Sequence, residues 1–110
     1  MDVIFRKDRE SGDIVAVFPS EPHDSAGRYW TCYMHVGQHS SCSLEWYRTT
    51  RPATEAESAD LLRELTGIYT TRPAGNPEIY GESVTLRPVK RMTAAHRAAF
   101  LAALKRESVA

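Results

Sequence analysis

Cys32-Tyr-Met-His35-Val-Gly-Gln-His39-Ser-Ser-Cys42 holds both cysteines of the chain and two of its four histidines. How this stretch folds decides how the rest is arranged. Its spacing, C-x2-H-x3-H-x2-C, suits either a zinc cage or a β-hairpin with histidines near the tip. The flanking residues alternate with a strand's period of two. Trp30, Cys32, Met34 and Val36 fall on one face, and Tyr29, Thr31, Tyr33 and His35 on the other. Beyond the tip, Cys42, Leu44 and Trp46 alternate with Ser43, Glu45 and Tyr47. Joining the apolar faces predicts the pairs Val36–Cys42, Met34–Leu44 and Cys32–Trp46, closed by the loop Gln38-His39-Ser40 with Gly37 beside it.

That hairpin turns Cys32 and Cys42 inward and His35 outward. A tetrahedral zinc site needs its ligands about 2.0–2.3 Å from one point, which a regular strand does not offer to Cys32 and His35 together. The expectation is therefore no metal, with Cys32, His35, His39 and Cys42 as the alternative ligand set. The two thiols are not directly opposite in this register, so a disulfide is disfavoured. They are read as small buried apolar groups.

Upstream, Val3-Ile-Phe-Arg-Lys7 and Ile14-Val-Ala-Val-Phe18 are rich in β-branched and aromatic residues and read as strands. Arg9 to Asp13 is turn chemistry, with Gly12 available for positive φ. The second run is apolar at every position, as in an interior strand covered on both faces. Downstream, Thr54-Glu-Ala-Glu57 is a capping box. Ser58, Leu61, Leu62 and Leu65 give the following helix an apolar stripe, and Gly67 is placed to end it. Residues 70–83 contain two prolines and two glycines and read as a long irregular loop. Val84 to Arg91 reads as a last strand, with Pro88 marking either an edge position or a bulge. Thr93 then caps a second helix with Phe100, Leu101 and Leu104 inward.

Composition bounds the function. The chain has 110 residues, 42% hydrophobic and 25% charged, with no net charge. This is one globular domain without a general attraction for nucleic acid. No apolar run approaches the roughly 20 residues needed to cross a bilayer, and two cysteines do not make a disulfide scaffold. A cytoplasmic protein with reduced thiols follows as the expectation, with no membrane contact. The basic residues gather late, in Arg87, Lys90, Arg91, Arg97, Lys105 and Arg106. They are read as pairing with the acidic middle of the chain. Nucleic-acid binding through Arg87, Lys90, Arg91 and Arg97 is the alternative, and it predicts steep salt dependence.

No Ser/His/Asp order, phosphate loop or carboxylate pair is present, so no catalytic residue and no cofactor are assigned. Tyr33, His35, Gln38 and His39 form a candidate recognition patch. Ile79 and Tyr80 in the long loop either pin it to the core or offer an apolar contact to a partner.

Val3-Ile-Phe-Arg-Lys, Asp13-Ile-Val-Ala-Val-Phe-Pro19, Tyr33-Met-His-Val-Gly-Gln-His-Ser40 and Thr50-Arg-Pro-Ala-Thr54, followed by Leu61-Leu-Arg-Glu-Leu65, resemble a group of small uncharacterised bacterial proteins carried by phages, plasmids and other mobile elements. The likeness covers most of residues 1–66, and the Tyr-x-His-x-Gly-Gln-His segment is its most specific part. Two features depart from the group: Cys42, and the 70–83 loop, where its members make a short turn. The resemblance brings no activity with it. It implies a non-enzymatic protein that binds a host protein or complex, a CRISPR-type defence complex included. The other reading is a zinc-binding or nucleic-acid-associated factor using His35 and His39. The fold expected is a single α+β domain over residues 1–110, ββββαβα, with about five antiparallel strands and two helices on one face.

Overall fold

The computed structural model describes residues 1–34, 39–70 and 85–109. The chain is an α+β domain built on one sheet. Strands β1 (Asp2–Lys7), β2 (Ile14–Pro22), β3 (Tyr29–Tyr33) and β4 (His39–Ser43) run antiparallel in sequence order. Asp8 makes the first turn. Its carboxylate accepts the amides of Glu10 and Ser11, and its carbonyl accepts the amide of Gly12, whose φ is +79°. Only glycine takes that angle without strain.

The far side of β1 is shared by two short strands. β5 (Arg51–Pro52) pairs antiparallel with Arg6 and Lys7, and β6 (Arg87–Pro88) pairs parallel with Asp2 and Val3. The sequence predicted a longer last strand. Pro88 limits it: Arg87 N–H donates to the Met1 carbonyl and Val89 N–H to the Val3 carbonyl, and the donor missing at Pro88 falls between them on the outer side. This is the edge position its proline demands.

The helices lie on opposite faces, not on one. Helix α2 (Glu55–Thr70) places Leu61 and Leu65 against Val3, Phe5, Ala16, Phe18 and Tyr33. Helix α3 (Ala94–Val109) places Phe100 and Leu104 against Ile4, Val15, Val17, Trp30, Cys32 and Cys42. The reason is written in β1 and β2, whose side chains are apolar on both sides of the pleat. A sheet with two apolar faces needs a cover on each, and each buried leucine or phenylalanine contributes about 1.5–3 kcal/mol.

Both helices begin as their sequences dictate. Thr54 Oγ1 accepts the Glu57 amide at 3.1 Å, and Glu57 Oε1 accepts the Thr54 amide at 2.9 Å. At α3, Thr93 Oγ1 accepts the His96 amide and Thr93 N–H donates to His96 Nδ1, a capping box with histidine in the place of glutamate. α2 does not stop at Gly67. It continues to Thr70 because Tyr69 packs on Phe18 and His39. On α3, the inward row is His96, Phe100 and Leu104, at a spacing of four, and Leu101 is exposed.

The hairpin register also differs. Trp30 faces Cys42, Cys32 faces Ser40 and Tyr33 faces His39. The stretch after Ser43 is a short helix, α1 (Leu44–Thr49), not a strand. Ser43 Oγ accepts the Trp46 amide at 3.1 Å, so a cap took the residues that would have carried the ladder on. Cys32 has slid by six positions relative to the predicted partner. An even slide keeps every side chain on its predicted face, so both thiols remain inward.

Candidate functional site

The predicted recognition patch is divided by the fold. Tyr33 is 1% exposed and belongs to the core under α2, where its hydroxyl donates to the Glu64 carboxylate. It is not a surface group. His39 is exposed on the same face, stacked near Phe18, Tyr33 and Tyr69, with Nε2 2.6 Å from the Tyr69 hydroxyl. Partial burial and the nearby charge of His23 lower its pKa, which favours the neutral ring at pH 7. His35, Gln38, Ile79 and Tyr80 lie outside the described residues.

The four-ligand zinc set does not assemble. His39 stands on the α2 face of the sheet, while Cys32 and Cys42 face α3. No imidazole on one side of a sheet reaches thiols on the other. Among the described residues no three His, Cys, Asp or Glu side chains converge as a metal site.

The basic patch is partly engaged. Arg87 grips Asp2 with Nε and one terminal nitrogen, each at 2.8 Å. Arg97 lies over the Phe100 ring, 5.6 Å from its centroid. Lys90 and Arg91 are exposed in the turn before α3. Asp2 also accepts from His96 Nε2 at 2.7 Å. The Arg87 and His96 hydrogen bonds hold its carboxyl well below the usual range. These three residues clasp the N-terminal strand, β6 and α3. They are structural.

A cleft of about 480 Å³ opens on the α3 side of the hairpin, and it was not anticipated from the sequence. Cys32 and Cys42 line it together with Trp46 from α1, Tyr29 and Met34 from the β3 side, and serines of β4. Asp8 and Asp13 form one rim. Trp46 Nε1 donates to Asp8 at 3.2 Å. The Ser11 amide, the Trp46 indole and the Glu10 amide together lower the Asp8 pKa, so the rim is anionic. Tyr29, Met34 and the neighbouring Leu44 are among the few exposed large apolar side chains. The signal that was available is Ser43-x-x-Trp46: read as a helix cap, it bends the chain so that Trp46 walls the cleft.

β4 is the outermost strand on this side and, among the described strands, pairs with β3 alone. Its register exposes a backbone edge. The Tyr29 carbonyl accepts from the His23 amide on the β2 side. By alternation Tyr29, Thr31 and Tyr33 direct their backbone groups to β2, and Trp30 and Cys32 direct theirs to β4. Ser41, opposite Thr31, therefore turns its own N–H and C=O away from the sheet.

Comparison of the chain with models of known protein families, with curated proteins and with solved structures gives no match in any of the three.

Proposed function

We propose that the protein is a small non-enzymatic binding protein that takes an extended segment of a partner protein along the edge of β4 that no described strand covers. The observation that carries this reading is the outward-facing backbone of Ser41 beside a cleft with an apolar lining and an acidic rim. Strand addition supplies main-chain hydrogen bonds, and the adjoining cleft supplies side-chain selection. An apolar anchor suits Trp46, Tyr29 and Met34. A flanking lysine or arginine suits Asp8 and Asp13. The likeness to proteins of phages and plasmids suggests a host protein as the partner, with a CRISPR-type defence complex as one such target; that part rests on resemblance alone.

The test compares extended peptides with one apolar anchor and either basic or acidic flanks, by fluorescence anisotropy. The basic set is expected to bind and the acidic set to fail. Ser41→Pro removes the outward donor and leaves the β3 pairing intact, so it abolishes binding without unfolding the domain. Peptide affinity unchanged in Ser41→Pro would remove this reading.

A further inference from the structure

We propose that the floor of the cleft is a binding site for a soft monovalent cation of the copper(I) class, held by the thiolates of Cys32 and Cys42 and the thioether of Met34. Cys32 and Cys42 belong to one face of two neighbouring strands, and Met34 follows directly on the end of β3. Met34 follows Cys32 by two positions, and Cys42 is the diagonal neighbour of Cys32, because Cys32 faces Ser40 and Trp30 faces Cys42. All three line the same cleft. Both cysteines are buried and free, and Met34, 46% exposed, stands where the cleft meets solvent.

Each thiol acts on the other's ionisation: Cys42 and the Ser40 hydroxyl lower the Cys32 pKa, while Cys32 and burial raise that of Cys42. The register makes them diagonal neighbours on one face of the sheet, and it is this placement beside Met34 in one cleft that makes the site. On binding, the protons on the two sulfurs leave to solvent and two metal–thiolate bonds form, with no change in oxidation state. The Ser40 hydroxyl remains to orient Cys32 and share its residual charge.

The donor set selects the ion. Zinc requires four ligands in a tetrahedron, and no imidazole or carboxylate among the described residues converges on the thiols. Calcium and magnesium require oxygen ligands. Thiolate and thioether donors at low coordination number suit copper(I) and silver(I). This site is independent of peptide binding, since it needs only the chain itself.

The experiment uses the full chain, reduced under argon, with two free thiols confirmed by titration. Copper(I) is supplied from a chromophoric bicinchoninate complex, with silver(I) as a redox-inert second probe. One equivalent of each should leave the competitor, and silver should protect both thiols from alkylation. Cys42→Ser should abolish retention. Met34→Leu changes an exposed side chain, keeps the fold by circular dichroism, and should weaken retention by at least about tenfold. No withdrawal from bicinchoninate, retention in Met34→Leu equal to wild type, or retention of zinc but not copper(I) would each overturn the proposal.

Discussion

Replacing Asp2 with alanine removes a group that joins three distant parts of the chain. Its carboxylate accepts twice from Arg87 and once from His96. The consequences of losing each partner differ, because the His96 side chain is 9% exposed and that of Arg87 73%. Arg87 recovers water when its partner goes. His96 Nε2–H does not, since Nδ1 is occupied by the Thr93 amide, which fixes the hydrogen on Nε2. A buried donor left without an acceptor costs about 1–3 kcal/mol, and the hydrogen bond to a charged group contributes about 1.5–3 kcal/mol. Asp2→Ala should therefore cost about 3–5 kcal/mol. Asp2→Asn keeps an acceptor for His96 and should cost about half as much. Arg87→Ala breaks only an exposed pair, worth about 0–1 kcal/mol. Urea unfolding followed by tryptophan fluorescence reads all three. With a slope of about 1–3 kcal/mol per molar urea, Asp2→Ala should lower the midpoint by more than about 1 M, and Arg87→Ala by a few tenths. Equal losses in Asp2→Ala and Arg87→Ala would show that His96 does not depend on this carboxylate.

The same carboxylate shapes the acid limb. Asp2 and Glu57 are both held well below their ordinary values of 3.8 and 4.5, Asp2 by Arg87 and His96, Glu57 by Arg51, the Thr54 amide and Lys7. Both pKa values are lower in the folded state, so their stabilisation is complete above those ordinary values and is lost as pH falls through the folded ones. Urea midpoints should hold from pH 7 to about 5 and decline below about 4.5, and Glu57→Gln should flatten that decline. Phe100→Ala should cost about 3–5 kcal/mol by opening a cavity between α3 and the sheet, measured by the same unfolding curves. Gly27 has φ +72°, and a Cβ there would sit 2.6 Å from Leu104 Cδ1. Gly27→Ala should cost at least about 1–2 kcal/mol, visible as a lower Tm. Iodoacetamide should label Cys32 before Cys42, read by peptide mass mapping, because Cys32 carries the first negative charge. Retention on DNA should be weak and its salt slope shallow, since Arg87 is bound to Asp2; a steep slope that Lys90→Ala and Arg91→Ala reduce would restore the nucleic-acid reading.

The first three strands, the starts of α2 and α3 and the inward facing of the thiols were legible because each rests on local chemistry: the two-sided apolar run of β2, the Thr54 and Thr93 caps, and the period-two alternation around Cys32. What escaped was decided at a distance. The placement of α2 and α3 on opposite faces follows from β1 and β2 being apolar on both sides, a clue present in Ile14 to Phe18 yet silent about which helix goes where. The hairpin register was misread because Leu44 and Trp46 alternate as a strand does over four residues, and Ser43 turned that stretch into a helix. Tyr33 alternates with apolar neighbours, which by itself points it to solvent, and only the arrival of α2 buries it. The cleft needs Asp8 beside the Cys42–Trp46 segment, and nothing in the linear chain brings those two parts near.

The two margins of the sheet are unlike. Beyond β1, the ladder is finished by two-residue strands, each ending in a proline, which offer a newcomer few donors. Beyond β4 no such finish is present among the described strands. A fibre grows only when each subunit offers both a head and a tail. Among the described strands only β4 leaves the sheet unfinished, so strand addition of the kind proposed stops after one step: one guest strand per subunit, or two copies meeting border to border.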